Sequence, residues 1–114
     1  MITNKTRKKI LCRKQKILTD IFSKALGLMF SRKIKDEGLV FVFNKPRRID
    51  LHMFFVFYPI DVLFLDEKKK VIEIKKKFRP FTVYLSKEKA KYVIEMPEGI
   101  INNTGTGLGD MLEF

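Results

Sequence analysis

The chain has no tryptophan and only one cysteine, one histidine and one glutamine in 114 residues, and each shortage removes a class of chemistry. With Cys12 alone, no disulfide within the chain and no cysteine-based zinc site can form, which suits a reducing compartment. A single histidine, His52, is poor metal chemistry, so no metal and no cofactor are expected. There is no Pro/Gly/Ser linker, internal repeat or low-complexity tract, which makes residues 1–114 one compact domain. The amino terminus lacks an apolar stretch long enough for a signal peptide. The longest hydrophobic run, Leu51–Leu65, falls short of the about 20 residues needed to span a bilayer and is broken by Pro59 and Asp61. A cytoplasmic protein with no membrane partner is the expectation. Abundant Lys and Glu beside so little Gln and Trp resemble a thermophile composition.

What is present begins with charge. The net charge is +11, and it is unevenly placed: residues 1–35 hold eleven Lys/Arg against Asp20 alone, whereas residues 36–114 hold thirteen against twelve acids. The basic character therefore belongs to one segment. Lys5, Arg7, Lys8, Lys9, Arg13, Lys14 and Lys16 fall together and form a candidate nucleic-acid or polyanion contact. No aromatic residue precedes Phe22, so base-stacking partners are missing from this stretch. The alternative is a solvated terminus, with residues 1–9 as a basic, frayed arm.

Hydrophobic patterning points to strands. Ile10–Cys12, Leu39–Phe43, Leu51–Tyr58, Ile60–Leu65, Val71–Ile74, Phe81–Leu85, Lys91–Met96 and Met111–Phe114 all read as β. Asn44–Arg48 reads as a turn, and Pro59 as a bulge or bend. Thr19 and Asp20 open a helix carrying Ile21, Phe22, Ala25, Leu26 and Met29 at helical spacing. A second short helix is expected after Pro97-Glu-Gly99. The fold class is α+β: mostly antiparallel β, a bent sheet or small barrel with one or two short helices. Lys68–Lys70 and Lys75–Lys77 flank Val71–Ile74 and read as protection of an edge strand. Both faces of Leu51–Tyr58 are apolar, which allows a homodimer as well as a wrapped monomer.

The same run holds the candidate site. Asp61 lies inside an apolar stretch, where a carboxylate must be paired or hydrogen-bonded. It is a pocket carboxylate in one reading and a structural cap at the Pro59 bend in the other. His52 and Tyr58 complete a candidate ligand-binding set with Asp61. A His52–Asp61 dyad would be the start of a hydrolase, but Ser23, Ser31 and Ser86 sit in no Gly-x-Ser-x-Gly elbow and no complete catalytic set emerges. Cys12, among Lys8, Lys9, Arg13 and Lys14, is either a reactive thiol or a small core residue. Thr104–Asp110 is rich in glycine, yet too few residues follow it for a dinucleotide fingerprint.

Several segments in order, Gly27–Phe30, Glu37–Phe41, Met53-Phe54, Pro59–Asp66, Lys91–Gly99 and Gly109-Asp110, resemble the domain-of-unknown-function family 192, also called uncharacterised protein family 0127. The resemblance runs from about Ile10 to the end of the chain and suggests an archaeal-type cytoplasmic member. It implies a compact β-rich domain with small helices, and no activity comes with it. Two departures stand out. His52–Val56 replaces the aromatic-Met-Lys-Asn-Thr segment of bacterial members, and Glu67–Lys70 replaces a hairpin that often carries glycine, implying a different or longer turn. The expectation is a non-catalytic domain binding a small ligand or partner around Leu51–Asp66, with nucleic-acid binding as the alternative and a small His/Asp hydrolase third.

Overall fold

The computed structural model describes residues 1–19, 36–52, 58–79 and 82–114, and only the backbone of residues 50–52. The expected helix from Thr19 onward, and Met53–Phe57 of the central run, lie outside these residues. The described elements are β1 (Ile2–Asn4), β2 (Lys9–Cys12), β3 (Lys14–Leu18), β4 (Glu37–Arg47), β5 (Asp50–His52), β6 (Ile60–Leu65), β7 (Val71–Phe78), β8 (Val83–Leu85), β9 (Ala90–Pro97), α1 (Ile100–Thr104) and β10 (Leu112–Glu113).

A five-stranded sheet in the order β3-β4-β9-β6-β7 forms the centre. Only β3 and β4 run parallel within it; the other pairs are antiparallel. Period-two alternation gives each central strand two apolar faces. Ile60, Val62 and Phe64 of β6 join Leu39, Phe41 and Val93 in one cluster, while Leu63 and Leu65 join Val40, Ile94 and Met96 in the other. Every residue of β6 is buried, as expected of a strand covered on both sides.

The second cluster is covered by a three-stranded sheet, β10-β1-β2, together with Ile101 of α1. Close approach is needed there. A Cβ added at Gly38 would stand 2.3 Å from Ile2 Cδ1, so a side chain there would have to push the Ile2 terminal methyl aside where β4 passes beneath β1. On the first face lies a ribbon of β5 and β8, with Tyr84 packed against the cluster.

Two expectations are corrected, and of the two forms expected for the sheet the described strands leave the open one, since they do not close into a barrel. Closure requires the two edges to pair, and here those edges, β3 and β7, both carry lysines (Lys14, Lys16 and Lys75–Lys77), a composition that disfavours edge-to-edge pairing. Residues 1–9 are not a frayed arm: β1 is the middle strand of its sheet, and Ile2 and Asn4 are fully buried. Asn44–Arg48 is not a turn either, because β4 runs through to Arg47. The chain instead bulges against β9, whose register jumps from Val42↔Tyr92 to Arg47↔Ala90 across Pro46, a residue with no N–H to pair.

Candidate functional site

Asp61 lies on β6 facing the second cluster, in register with Met96. It is buried, and its oxygens accept three backbone hydrogen bonds: Lys77 N–H to Oδ1 at 3.1 Å, and Gly99 and Ile101 N–H to Oδ2 at 3.1 and 3.0 Å. Burial without donors would be costly, and the backbone supplies them. The carboxylate thereby ties the start of α1 and the end of β7 to the central strand. Its donors come from these two places and not from the Pro59 bend.

His52 ends β5, whose backbone pairs with β8 in the register His52↔Val83. Since β6 pairs only with β7 and β9, no strand pairing brings His52 beside Asp61. Tyr58 packs against the first cluster, on the opposite face of the sheet from the Asp61 carboxylate. The described serine and cysteine side chains, Ser86 and Cys12, are occupied or sealed. Ser86 Oγ accepts from Ile49 N–H at 2.7 Å and donates to the Glu88 carbonyl at 3.0 Å. Cys12 is fully buried, and burial, then the Asp36 and Glu37 charges, push its thiol up to about 12. Ser23 and Ser31 lie outside the described residues. Among the described residues, no three His, Cys, Asp or Glu side chains gather as metal ligands.

The basic segment is folded onto the strands. Arg7 Nε donates to Asp110 Oδ2 at 3.1 Å, and the same oxygen accepts from Asn4 Nδ2 at 2.9 Å and Gly107 N–H at 2.9 Å. Burial pushes the Asp110 carboxyl up, but these bonds and the Arg7 charge outweigh it and hold the group below its ordinary range. Lys5 and Arg13 stand 4.0 Å from Glu113 and Asp36. Lys8, Lys9, Lys14 and Lys16 are exposed and have no ion pair among the described residues.

Glu95 is the residue that sequence reasoning missed. It occupies the centre of β9, opposite Leu39 on one side and Val62 on the other. Only 6 % of it is exposed, and its Oε2 has no hydrogen-bond partner among the described residues. Burial alone pushes its carboxyl up to about 8. The register extends outward from Leu39 to Lys16 on β3 and from Val62 to Lys75 on β7, so one row reads Lys16–Leu39–Glu95–Val62–Lys75. Lys75 Nζ lies 5.4 Å from the Tyr84 ring centroid. The next row ends on Glu73, which accepts from the Tyr84 hydroxyl and from the backbone of Lys87 and Glu88. A lone acid between Ile94 and Met96 is the same signal that singled out Asp61, and it was available in the sequence.

Comparison with known proteins is consistent in one direction. The model of family DUF192, described as "Uncharacterized ACR", matches residues 2–114. A UPF0127 protein of Thermococcus sibiricus is 35 % identical, covering all of this chain and 74 % of its own length. One from Pyrococcus horikoshii is 31 % identical, covering 100 % of this chain and 98 % of its own. Among solved structures, a protein of unknown function from Novosphingobium aromaticivorans superposes with a TM-score of 0.88 at 24 % identity, over 99 % of this chain and 83 % of that one, a likeness of fold alone. A candidate transcription regulator from Sinorhizobium meliloti gives 0.82 at 27 % identity, over 87 % and 79 %.

Proposed function

The chain belongs to the DUF192 family, whose archaeal relatives carry the name UPF0127, and from the geometry above we propose that it is a non-catalytic binding domain. Its site is the sheet face shared by β6, Tyr58 and Glu95, with His52 on the ribbon over that face. The ligand is a small molecule or a partner's side chain. The observation that carries this reading is Glu95. A buried polar atom with no partner among the described residues costs stability, of the order of 1–3 kcal/mol, and a ligand that completes the bond would offset that cost. Asp61 serves the site from the far side, by fixing β6 to α1. The absence of catalysis is supported by Ser86 and Cys12, whose side chains are committed to the fold.

The test is an NMR fragment screen spanning neutral, anionic and cationic compounds. Shifts concentrated at Leu39, Val62, Val93 and Glu95 are expected. A screen in which no class of compound moves these amides sinks the reading.

One observation favours a second reading, nucleic-acid binding. Lys8, Lys9, Lys14 and Lys16 have no ion pair among the described residues, and the Sinorhizobium neighbour is described as a candidate transcription regulator. Fluorescence anisotropy with labelled DNA and RNA tests it, comparing the wild type with a variant in which these four lysines are glutamine. Arg7 is left intact because it also holds Asp110. Salt-sensitive binding lost in the variant supports the reading; no binding near physiological salt removes it.

A further inference from the structure

We propose that the ribbon of β5 and β8 docks on an anionic lipid surface, Val83 and Leu85 entering the headgroup boundary and the cations beside them meeting lipid phosphates. This goes beyond the ligand reading and uses a different part of the molecule.

The β8 strand has two unlike faces. Tyr84 turns inward: its hydroxyl donates to Glu73, and its ring lies against Phe64 and Phe78, with centroids 5.8 and 6.4 Å away. The residues on either side of Tyr84 point the other way, as alternation along a strand requires. Val83 is 50 % exposed and Leu85 62 %. Anchored from within, the strand holds two aliphatic side chains out in water.

Charge collects next to them. Ile49 N–H donates to Ser86 Oγ at 2.7 Å and Ser86 N–H to the Ile49 carbonyl at 2.9 Å, while Arg47 stands in register with Ala90. The end of β4 therefore runs alongside residues 85–90 and sets Arg47 and Arg48 across from Lys87 and Lys89. Residues 43–50 and 82–91 hold six Lys/Arg against Asp50 and Glu88. Two of the six have partners: Arg47 lies over the Phe43 ring at 5.5 Å, and Lys91 Nζ donates to the Asn44 carbonyl at 2.9 Å. The other four, Lys45, Arg48, Lys87 and Lys89, are exposed with no ion pair among the described residues. Residues 36–114 are near balance in the sequence, and the fold brings this excess together from two distant segments.

An anionic surface with an apolar interior answers both features. A nucleic-acid backbone would use the cations and leave Val83 and Leu85 in water. Among the described residues, none of the exposed large hydrophobics is aromatic, so no platform for stacking bases accompanies the charge. A second copy of the chain would bring the same cations into the contact. A bilayer of anionic lipids takes the aliphatic side chains at the acyl boundary and the cations at the phosphates. Contact of this kind needs no spanning segment.

The chain has no tryptophan, so Leu85→Trp and Leu108→Trp each carry a single fluorescent reporter. Leu108 is 67 % exposed in the loop that Asp110 bonds to the three-stranded sheet, on the opposite face from the ribbon. Phosphatidylglycerol vesicles should blue-shift the emission of Leu85→Trp and leave that of Leu108→Trp unchanged; phosphatidylcholine vesicles should shift neither. Arg48→Gln, Lys87→Gln and Lys89→Gln together, added to Leu85→Trp, should weaken binding of the order of a hundredfold, at about fivefold per cation. Lys8→Gln, Lys9→Gln, Lys14→Gln and Lys16→Gln together should weaken it far less. Equal binding to phosphatidylcholine overturns the role of charge, and a shift confined to Leu108→Trp overturns the site. A larger loss from the four amino-terminal changes than from the three at the ribbon does the same. No shift with either lipid, or binding to DNA or RNA alone that the triple variant loses, removes the proposal.

Discussion

Glu95 and Asp110 titrate in opposite directions, and the pH dependence of stability separates them. Burial lifts the Glu95 carboxyl from 4.5 to about 8, so the folded protein keeps a proton that the unfolded chain releases. Its contribution is whole below about pH 4.5 and is lost as pH rises towards about 8, at up to about 1.4 kcal/mol per pH unit. Urea melts between those limits should show this slope in the wild type and lose it in Glu95→Gln; equal slopes in both would rule out the assignment. Asp110 behaves in the reverse sense. Its carboxyl is held below 3.8, so the stability it brings is present above that value and disappears as pH falls further. Asp110→Asn should cost about 1–3 kcal/mol near neutral pH and much less in strong acid. A cost that does not shrink in acid would mean that the hydrogen bonds are not those of the charged group. At this scale the sequence marks lone acids in apolar runs, Asp61 and Glu95 alike. Which one receives donors is decided by residues 77, 99 and 101, far away along the chain, and local reading has no access to them.

Two elements depend on single residues. Asp61 joins α1 and β7 to β6, and Asp61→Asn places an amide N–H against backbone donors. The expected loss is about 2–3 kcal/mol, with faster hydrogen exchange at Gly99 and Ile101 than at Leu63. Uniform exchange would show that the carboxylate does not hold α1. The turn between β6 and β7 keeps a left-handed position although its sequence has no glycine: Lys69 adopts φ 65. Asp66 Oδ1 fixes the turn by accepting from Lys68 and Lys70 N–H, and Lys69 Nζ reaches the Phe114 carbonyl at 3.0 Å and its ring at 4.1 Å. The missing glycine suggested a different turn, whereas contacts to a distant residue hold a lysine in the strained conformation. Lys69→Ala loses those contacts and keeps the backbone cost, for an expected loss of about 1–2 kcal/mol. Lys69→Gly relieves the backbone and should melt between Lys69→Ala and the wild type; a glycine variant melting above the wild type would show that the lysine contacts contribute nothing.

Over the whole molecule, an excess of eleven positive charges opposes compaction. Added salt screens it, so the melting temperature should rise between about 20 and about 200 mM sodium chloride, where the Debye length shortens to below about 10 Å. A flat or falling profile would show that the ion pairs outweigh the repulsion. The sequence conveyed the β-rich class, most strands and the lysine-guarded edge at β7, because each follows from local alternation and charge. The open sheet and the order of its strands were not legible, since these depend on pairings between distant segments. The homodimer expectation rests on Leu51–Tyr58, of which residues 53–57 lie outside the described set. No described helix is long and apolar enough to cross a membrane.

The middle position of β1 in its sheet has a consequence in time. Thr3 pairs with Glu113, and Asn4 bonds Asp110 at a separation of 106 residues, so β1 waits for a strand synthesised long after it. During translation β1 and β2 form at most a two-stranded hairpin, which is marginal in water. Ile2 and Leu11 therefore stay accessible to chaperones until the central sheet and β10 are made to cover them. Completion of that sheet is the step at which the newborn chain ceases to be sticky.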